Sequence, residues 1–247
     1  TAPSLEIRKN IQSIDQKINS KIIIDTRFEQ IENRYQNALK LPKLFINKFS
    51  TTTNIIFGSI DSSDLDIIIP TLNVIFPNGD KDLTKNNTQL IIVPHEPNKH
   101  MIDLLGSKLN KYKFNFQLLE DINRDSINYD DIEGNILVVN KVGLLAELYH
   151  YARLAYVGGG FSRGVHSVIE PAIYDCLIAF GPNIEILAEA KELIQQKASY
   201  IIRNSNDMIN FFKLSNAKNK KFKSSRSFFL NKEKSSNQII KLIYDSV

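Results

Sequence analysis

Four glycines, a histidine and a lone glutamate crowd into the stretch YVGGGFSRGVHSVIEPA, residues 156–172. Residue types of this kind suit a phosphorylated nucleotide or sugar. The run Gly158, Gly159, Gly160 lets the backbone turn sharply and leaves room for a ligand to come close. A helix opening near His166 and Ser167 turns free N–H groups and a positive dipole end toward a phosphate. Glu170, about one turn inside that helix, is not placed for phosphate, but a carboxylate accepts hydrogen bonds from ribose hydroxyls. The spacing is neither GxGxxG nor a Walker loop. A second reading therefore stays open: a turn made tight for packing, followed by a glutamate that favours a helix start.

Three further stretches carry polar groups at strand ends. VPHEP, 93–97, puts His95 and Glu96 just before a helix. They read either as ligand contacts or as a helix start with Pro97 in its first turn. NKVGLLAELYHYA, 140–152, is a glycine loop leading into an amphipathic helix. The first-turn amides of Gly143, Leu144 and Leu145 can meet an anion or a base edge, while its other Leu and Tyr residues read as core. GSIDSSDLD, 58–66, is a Gly-Ser turn that leaves Ser59 at a strand end and starts a helix. Capping accounts for Ser62, Ser63 and Asp64 without any ligand. His100 and His150 fall in helical stretches and read as surface or packing residues. No spacing of His, Cys or carboxylates supports a metal site, and no cofactor is implied.

The elements that must position these groups are short, continuous apolar runs, the pattern of strands buried on both faces. They are NIIFG (54–58), QLIIVP (89–94), FNFQLL (114–119), NILVVN (135–140), LAYVGG (154–159), LIAFG (177–181) and SYIIR (199–203). Helical patterns such as DLLGSKLNKY and LLAELYHYA lie between them. Repeated βα units predict an α/β fold with a doubly wound parallel sheet. In such sheets ligands bind beyond the carboxyl ends of the strands. Seven of the ten glycines (58, 143, 158, 159, 160, 164 and 181) fall in or just after those ends.

Three divisions follow along the chain. Residues 1–52 read as a connector with the end of a preceding N-terminal domain, containing a short KIIID strand and helices over RFEQIENRYQNALK and PKLFINKFS. Residues 53–204 carry the βα units, and residues 205–247 read as a helical tail that ends in NQIIKLIYDSV and packs back on the fold. The opening TAPSLEIRKN, without an initiator Met, reads as a start in mid-protein.

With 247 residues and 43% hydrophobic content, the chain can bury a substantial core. Its net charge of +4, from 31 basic and 27 acidic residues, is too small an excess to imply nucleic acid. The basic run KNKKFKSSR, 218–226, reads as a solvated loop or as a contact with anionic lipid. A single cysteine, Cys176, excludes an internal disulfide framework and a Cys-based zinc site, which fits a reducing compartment. No apolar run approaches the roughly 18 residues of a membrane span, and no signal-peptide pattern is present.

The block GLLAELYHYARLAYVGGGFSRGVHSVIEPAIYDCLIAFGPN, 143–183, resembles the donor-binding half of the 3-deoxy-D-manno-octulosonic acid (Kdo) transferases. Their pattern is close to GxLxxLYxxAxxAxVGGxFxxxGxHNxLEPAxxxxPVxxGP, and the resemblance extends from DTRFEQI (25–31) to about Ile194. It implies the Rossmann-like C-terminal domain of a GT-B glycosyltransferase that transfers Kdo from CMP-Kdo to a lipid A precursor. It further implies no bound metal, a seat at the cytoplasmic face of the inner membrane of a Gram-negative cell, and peripheral membrane contact. Carried over, Glu170 would hold the ribose, and Gly158, Gly159, Gly160, His166 and Ser167 would meet phosphate and sugar. Gly143, Leu144 and Leu145 would present backbone to the nucleotide, with Ser59 and His95 lining the cleft. Ser167 stands where the family has Asn, and Cys176-Leu177 departs from its usual Gly-Ile-Pro. The family's general base is a Glu of the N-terminal domain with no counterpart here, so the catalytic base is unassigned. Two alternatives remain: a GT-B transferase or epimerase using a UDP-sugar, and a noncatalytic nucleotide-binding domain.

Overall fold

Seven continuous apolar runs become seven parallel strands of one sheet. They are β1 (Thr53–Ile60), β2 (Thr88–Pro94), β3 (Gln117–Leu118), β4 (Ile136–Val138), β5 (Leu154–Val157), β6 (Leu177–Phe180) and β7 (Ser199–Ile201). Each coincides with a run read from the sequence, because a strand covered on both faces needs no polar alternation. This computed structural model describes residues 2, 5–18, 20–23, 25–38, 49, 51–119, 134–214, 223–229 and 235–245. The helix read over PKLFINKFS lies outside the described residues apart from Phe49, as does most of the basic run at 218–226.

The chain divides into two compact units, residues 41–226 and residues 1–40 with 227–247. In the larger unit the strand order is β3-β4-β2-β1-β5-β6-β7. The chain therefore winds outward from β1 through β2, then returns to the other side of β1 with β5, and the order reverses between β1 and β5. Pairing is in register from Ile55 opposite Leu154 to Gly58 opposite Val157. Helices α3 (Ser62–Ile75), α4 (Asp80–Lys85), α5 (Lys99–Lys111), α6 (Leu145–Leu148), α7 (Ile169–Ile173), α8 (Ala188–Gln195) and α9 (Ser205–Lys213) complete the unit.

One face of the sheet buries Phe57, Leu90, Ile92 and Tyr156 against Leu65, Ile68 and Leu72 of α3, Leu105 and Leu109 of α5, and Phe211 and Phe212 of α9. Helix α9, in the stretch read as a tail, is thus part of this core. The opposite face, with Ile56, Ile91, Ala155, Ile178 and Phe180, is buried as well. The helix expected over LLAELYHYA is shorter: after α6 the chain tightens into a 3-10 turn at Tyr149–Tyr151.

The smaller unit holds helices α1 (Leu5–Ile14), α2 (Arg27–Ala38) and α10 (Ser235–Tyr244). Phe28 lies against Phe228 and Phe229, with ring centroids 5.2 and 5.5 Å away. Glu29 accepts hydrogen bonds from the backbone and hydroxyl of Ser236. The expected KIIID strand is reduced, among the described residues, to a single bridge between Ala2 and Ile22.

Candidate functional site

The carboxyl ends of β1 and β5 meet where the strand order reverses, with Gly58 near the end of β1 and Gly158 directly after β5. At β1 the pairing with β2 shifts register between Gly58 and Ile60. Ser59 is the bulged residue, held at φ +52°, a left-handed conformation few non-glycine residues adopt. The Gly158 amide donates to the Gly58 carbonyl at 2.9 Å, so the glycine turn grows directly out of the ladder. A Cβ on Gly158 would overlap the Ser59 carbonyl and lie 2.5 Å from Ile60 Cα. One on Gly160 would lie 2.6 Å from Gly181 Cα. These glycines are required because backbones cross there with no space for a side chain.

The turn is closed by hydrogen bonds of its own. Gly159, at φ +87°, donates its amide to Asp64 Oδ2 at 2.9 Å, and its carbonyl accepts from Ser162 and Gly164. The amides of Gly158 and Gly159 are therefore engaged inside the fold, and a phosphate near the turn must find other donors. Asp64 is buried and also accepts from Tyr156 Oη at 2.7 Å and from the Asp61 amide at 2.9 Å. Burial raises the Asp64 pKa above the usual carboxylate range even against these three bonds. Asp61 caps α3 through the amides of Ser63 and Asp64, and Asp64 returns the bond to the Asp61 amide, forming a capping box. The Asp61 carboxylate also accepts from the Ser162 hydroxyl, tying the loop after β1 to the loop after β5.

Beside this staple, His95 and His166 stack with ring centroids 3.9 Å apart and planes 17° from parallel. His95 reaches the position because its amide donates to the Ile60 carbonyl at 2.9 Å. His166 is held by its amide bond to the Gly158 carbonyl at 3.1 Å. The His166 pKa is lowered, first by burial and then by the neighbouring His95, with Asp61 opposing. The pair borders a cleft of about 400 Å³ lined also by Asp61, Ser63, Asn98 and Arg163. Asn98, not a residue of VPHEP, caps α5 by accepting from the Met101 amide at 2.9 Å.

Leu145, Tyr149 and Glu170 form a second flank. Leu145 and the Tyr149 hydroxyl close over Gly58, where any Cβ would overlap that hydroxyl. Glu170 is half-buried and is the second residue of α7. That helix begins at Ile169, later than expected, because the amides of Val165 and His166 are held by the Asn183 and Gly158 carbonyls. Ser167 is half-buried in the loop before it. The Tyr149 pKa is pushed well up, mainly by burial and then by the Glu170 charge, which lies within electrostatic reach. Gly143, at φ +89°, and Leu144 are exposed, and a Cβ on Gly143 would enter open space.

The structure thus gathers Ser59, His95, Gly158, Gly159, Gly160 and His166 around one turn, with Leu145 and Glu170 on the flank beyond Gly58. Gly143 and Leu144 stand at its outer rim. Asp61, Ser162 and Tyr149 were not anticipated as part of the site, and Asp64 was legible only as a helix cap. Among the described residues no group of His, Cys, Asp or Glu is arranged to hold a metal ion.

A parallel sheet with Gly58 and Gly158 where its strand order reverses is a doubly wound, Rossmann-like fold. In sequence, the chain is similar to 3-deoxy-D-manno-octulosonic acid transferases. The protein of Rickettsia typhi is 26% identical over 185 residues, 74% of this chain and 37% of that protein. The protein of Aquifex aeolicus is 25% identical over 157 residues, 63% of this chain and 39% of its own length. The chain therefore spans well under half the length of these curated relatives. In structure, it resembles the C-terminal CMP-Kdo binding domain of WaaA from Acinetobacter baumannii, with a TM-score of 0.58 at 13% identity over 87% of this chain and 97% of that one. The UDP-GlcNAc 2-epimerase of Methanocaldococcus jannaschii has the same fold, with a TM-score of 0.56 at 16% identity over 98% of this chain and 60% of that one. No protein-family model matches.

Proposed function

We propose that this chain is the donor-binding half of an enzyme that transfers Kdo from CMP-Kdo to a lipid A precursor in lipopolysaccharide synthesis. The observation that carries the reading is sequence similarity to Kdo transferases over up to 74% of the chain, on a fold whose reversal point collects a glycine turn, paired imidazoles and Glu170.

In this reading residues 53–204 are the nucleotide-sugar domain. Glu170 accepts the ribose hydroxyls, and the backbone of Gly143, Leu144 and Leu145 meets the base. The phosphate and sugar lie beside the turn of Gly158, Gly159 and Gly160, among Ser59, His95, His166 and Ser167. Fixed donors there stabilise charge on the departing CMP without having to reorganise. A Glu of an N-terminal domain deprotonates the acceptor hydroxyl, which attacks the anomeric carbon. The seat of the whole enzyme is the cytoplasmic face of the inner membrane, reached by peripheral contact. Among the described residues no helix is long and apolar enough to cross a membrane.

The likeness to a UDP-GlcNAc 2-epimerase favours a second reading, a UDP-sugar enzyme. Calorimetric titration with CMP and with UDP separates the two, with Glu170→Ala as control. The expected result is a preference for CMP and a loss of about tenfold or more in the variant, the scale of one charged hydrogen bond. Preference for UDP transfers the assignment to the second reading, and binding of neither nucleotide overturns both for this chain.

A further inference from the structure

We propose that Asp64 is a positioning residue: its buried carboxylate holds the glycine turn in the one conformation that seats His166 against His95. The effect on ligand binding rests on the donor-site reading above; the seating itself does not.

Three donors converge on this carboxylate from separate parts of the chain. Tyr156 Oη reaches Oδ1 at 2.7 Å, while the amides of Gly159 and Asp61 both reach Oδ2 at 2.9 Å. Two of these donors belong to β5 and the turn that follows it, and the third to the loop after β1. Asp64 therefore fixes the two loops relative to each other at the point where the strand order reverses. The next link is steric. A Cβ on Gly159 would lie 2.9 Å from His166 Cδ2 and Nε2, so the imidazole rests directly on the Gly159 backbone. Its other neighbour is His95, stacked at 3.9 Å. Wherever Gly159 moves, the imidazole must follow, and the stack with it.

A helix cap alone does not call for this residue. Asp61 already caps α3, and Ser or Thr at position 64 would serve the first turn in water. What neither Ser nor Thr supplies is two polar ends: one oxygen of Asp64 takes the amides of Gly159 and Asp61, and the other takes the Tyr156 hydroxyl. The charge is also kept at a cost. A folded-state pKa raised above the unfolded value means that Asp64 contributes stability at acid pH that is lost as the pH rises through the folded pKa. At neutral pH its ionised form is thus disfavoured by folding, and the residue is better explained by the geometry it enforces than by stability.

The test is Asp64→Ala in the full chain, read by the imidazole NMR signals of His95 and His166 without ligand and by CMP titration. Tyr156→Phe serves as comparison, because it removes one donor and leaves the Gly159 bond. Asp64→Ala is expected to shift both imidazole signals as the stack opens and to weaken CMP by about tenfold, the scale of a lost hydrogen bond to a charged group. Tyr156→Phe is expected to keep the signals in place and the affinity within about threefold. Unmoved imidazole signals in a folded Asp64→Ala protein overturn the proposal. If that variant does not fold, the Gly159 amide of the unaltered chain decides. Bound to a carboxylate, its proton should lie downfield and shift as Asp64 is protonated in acid, with Asp61 and His166 the other titrating groups facing the turn. An amide that ignores this titration overturns the proposal. If the unaltered chain binds no CMP, the donor-site reading fails, and the imidazole signals still judge Asp64.

Discussion

Gly160 and Gly143 are the same residue type at the same edge of the same sheet, and they do opposite things. Around Gly160 the backbone of Gly181 lies so close that a methyl group would sit 2.6 Å from its Cα. A methyl group placed on Gly143 would meet no atom beyond its chain neighbours within 4 Å. The first glycine is used up by the fold, where two chain segments cross. The second holds a positive φ in an exposed loop and leaves its surroundings open. A glycine at a strand end therefore marks either a crossing or an opening, and only the neighbours tell which. The Gly158 to Gly160 turn, which by composition is the obvious phosphate cradle, spends two amides on Gly58 and Asp64.

The contrast predicts a large difference in stability. Gly160→Ala has no flexible side chain to displace, only backbone, and overpacking of this kind costs about 3 kcal/mol. For a unit of this size each kcal/mol lowers Tm by about 2–4 °C, so a fall of about 6–12 °C is expected by calorimetry. A change below about 2 °C, less than one kcal/mol on the same scale, would show that the crossing can relax and that the two glycines are not so different.

A smaller effect is expected from pH. The His166 pKa lies below its unfolded value because burial and His95 disfavour the cation. The stability this contributes is present above the unfolded pKa of 6.5 and is lost as pH falls toward the folded one. Because the raised pKa of Asp64 acts in the opposite direction, the contribution of His166 is read by difference. Between pH 7 and pH 5.5, chemical denaturation should show the unaltered chain losing more stability, or gaining less, than His166→Gln. An equal difference in the variant would place the acid sensitivity elsewhere and loosen the link between the turn and the imidazole pair.

What could be read from the sequence follows the range of the interactions involved. The seven strands were legible because each is a local run of apolar residues, and a doubly wound sheet follows from their alternation with helices. The β1 and β5 ends were legible as glycine clusters. The partnership of Asp64 was not, because Tyr156 and Gly159 lie 92 and 95 positions away. Locally, Asp64 looks like a cap, and it is one. The stack of His95 on His166 is hidden for the same reason: neither VPHEP nor GVHSV specifies that two loops on different strands will meet. The late start of α7 was illegible too, since it depends on the Asn183 and Gly158 carbonyls holding Val165 and His166 out of the helix.

The smallest expected effect on stability belongs to Gly143→Ala, and it sharpens the comparison most. No neighbour opposes the new methyl group, so the cost is conformational: an Ala at φ +89° is disfavoured by about 1–2 kcal/mol. Much of that is avoided because an exposed loop can relax, which leaves a Tm change of about 2 °C or less. The relaxation itself is the consequence that matters. If the backbone at Gly143, Leu144 and Leu145 faces the base of a bound nucleotide, a shifted loop weakens CMP while the Gly158 to Gly160 turn and the imidazole stack remain as they were. Gly143→Ala should therefore lose affinity without losing stability, whereas Gly160→Ala loses stability first. Equal CMP affinity in Gly143→Ala and the unaltered chain would remove this loop from the site and leave the recognition to Glu170 and the groups around the turn.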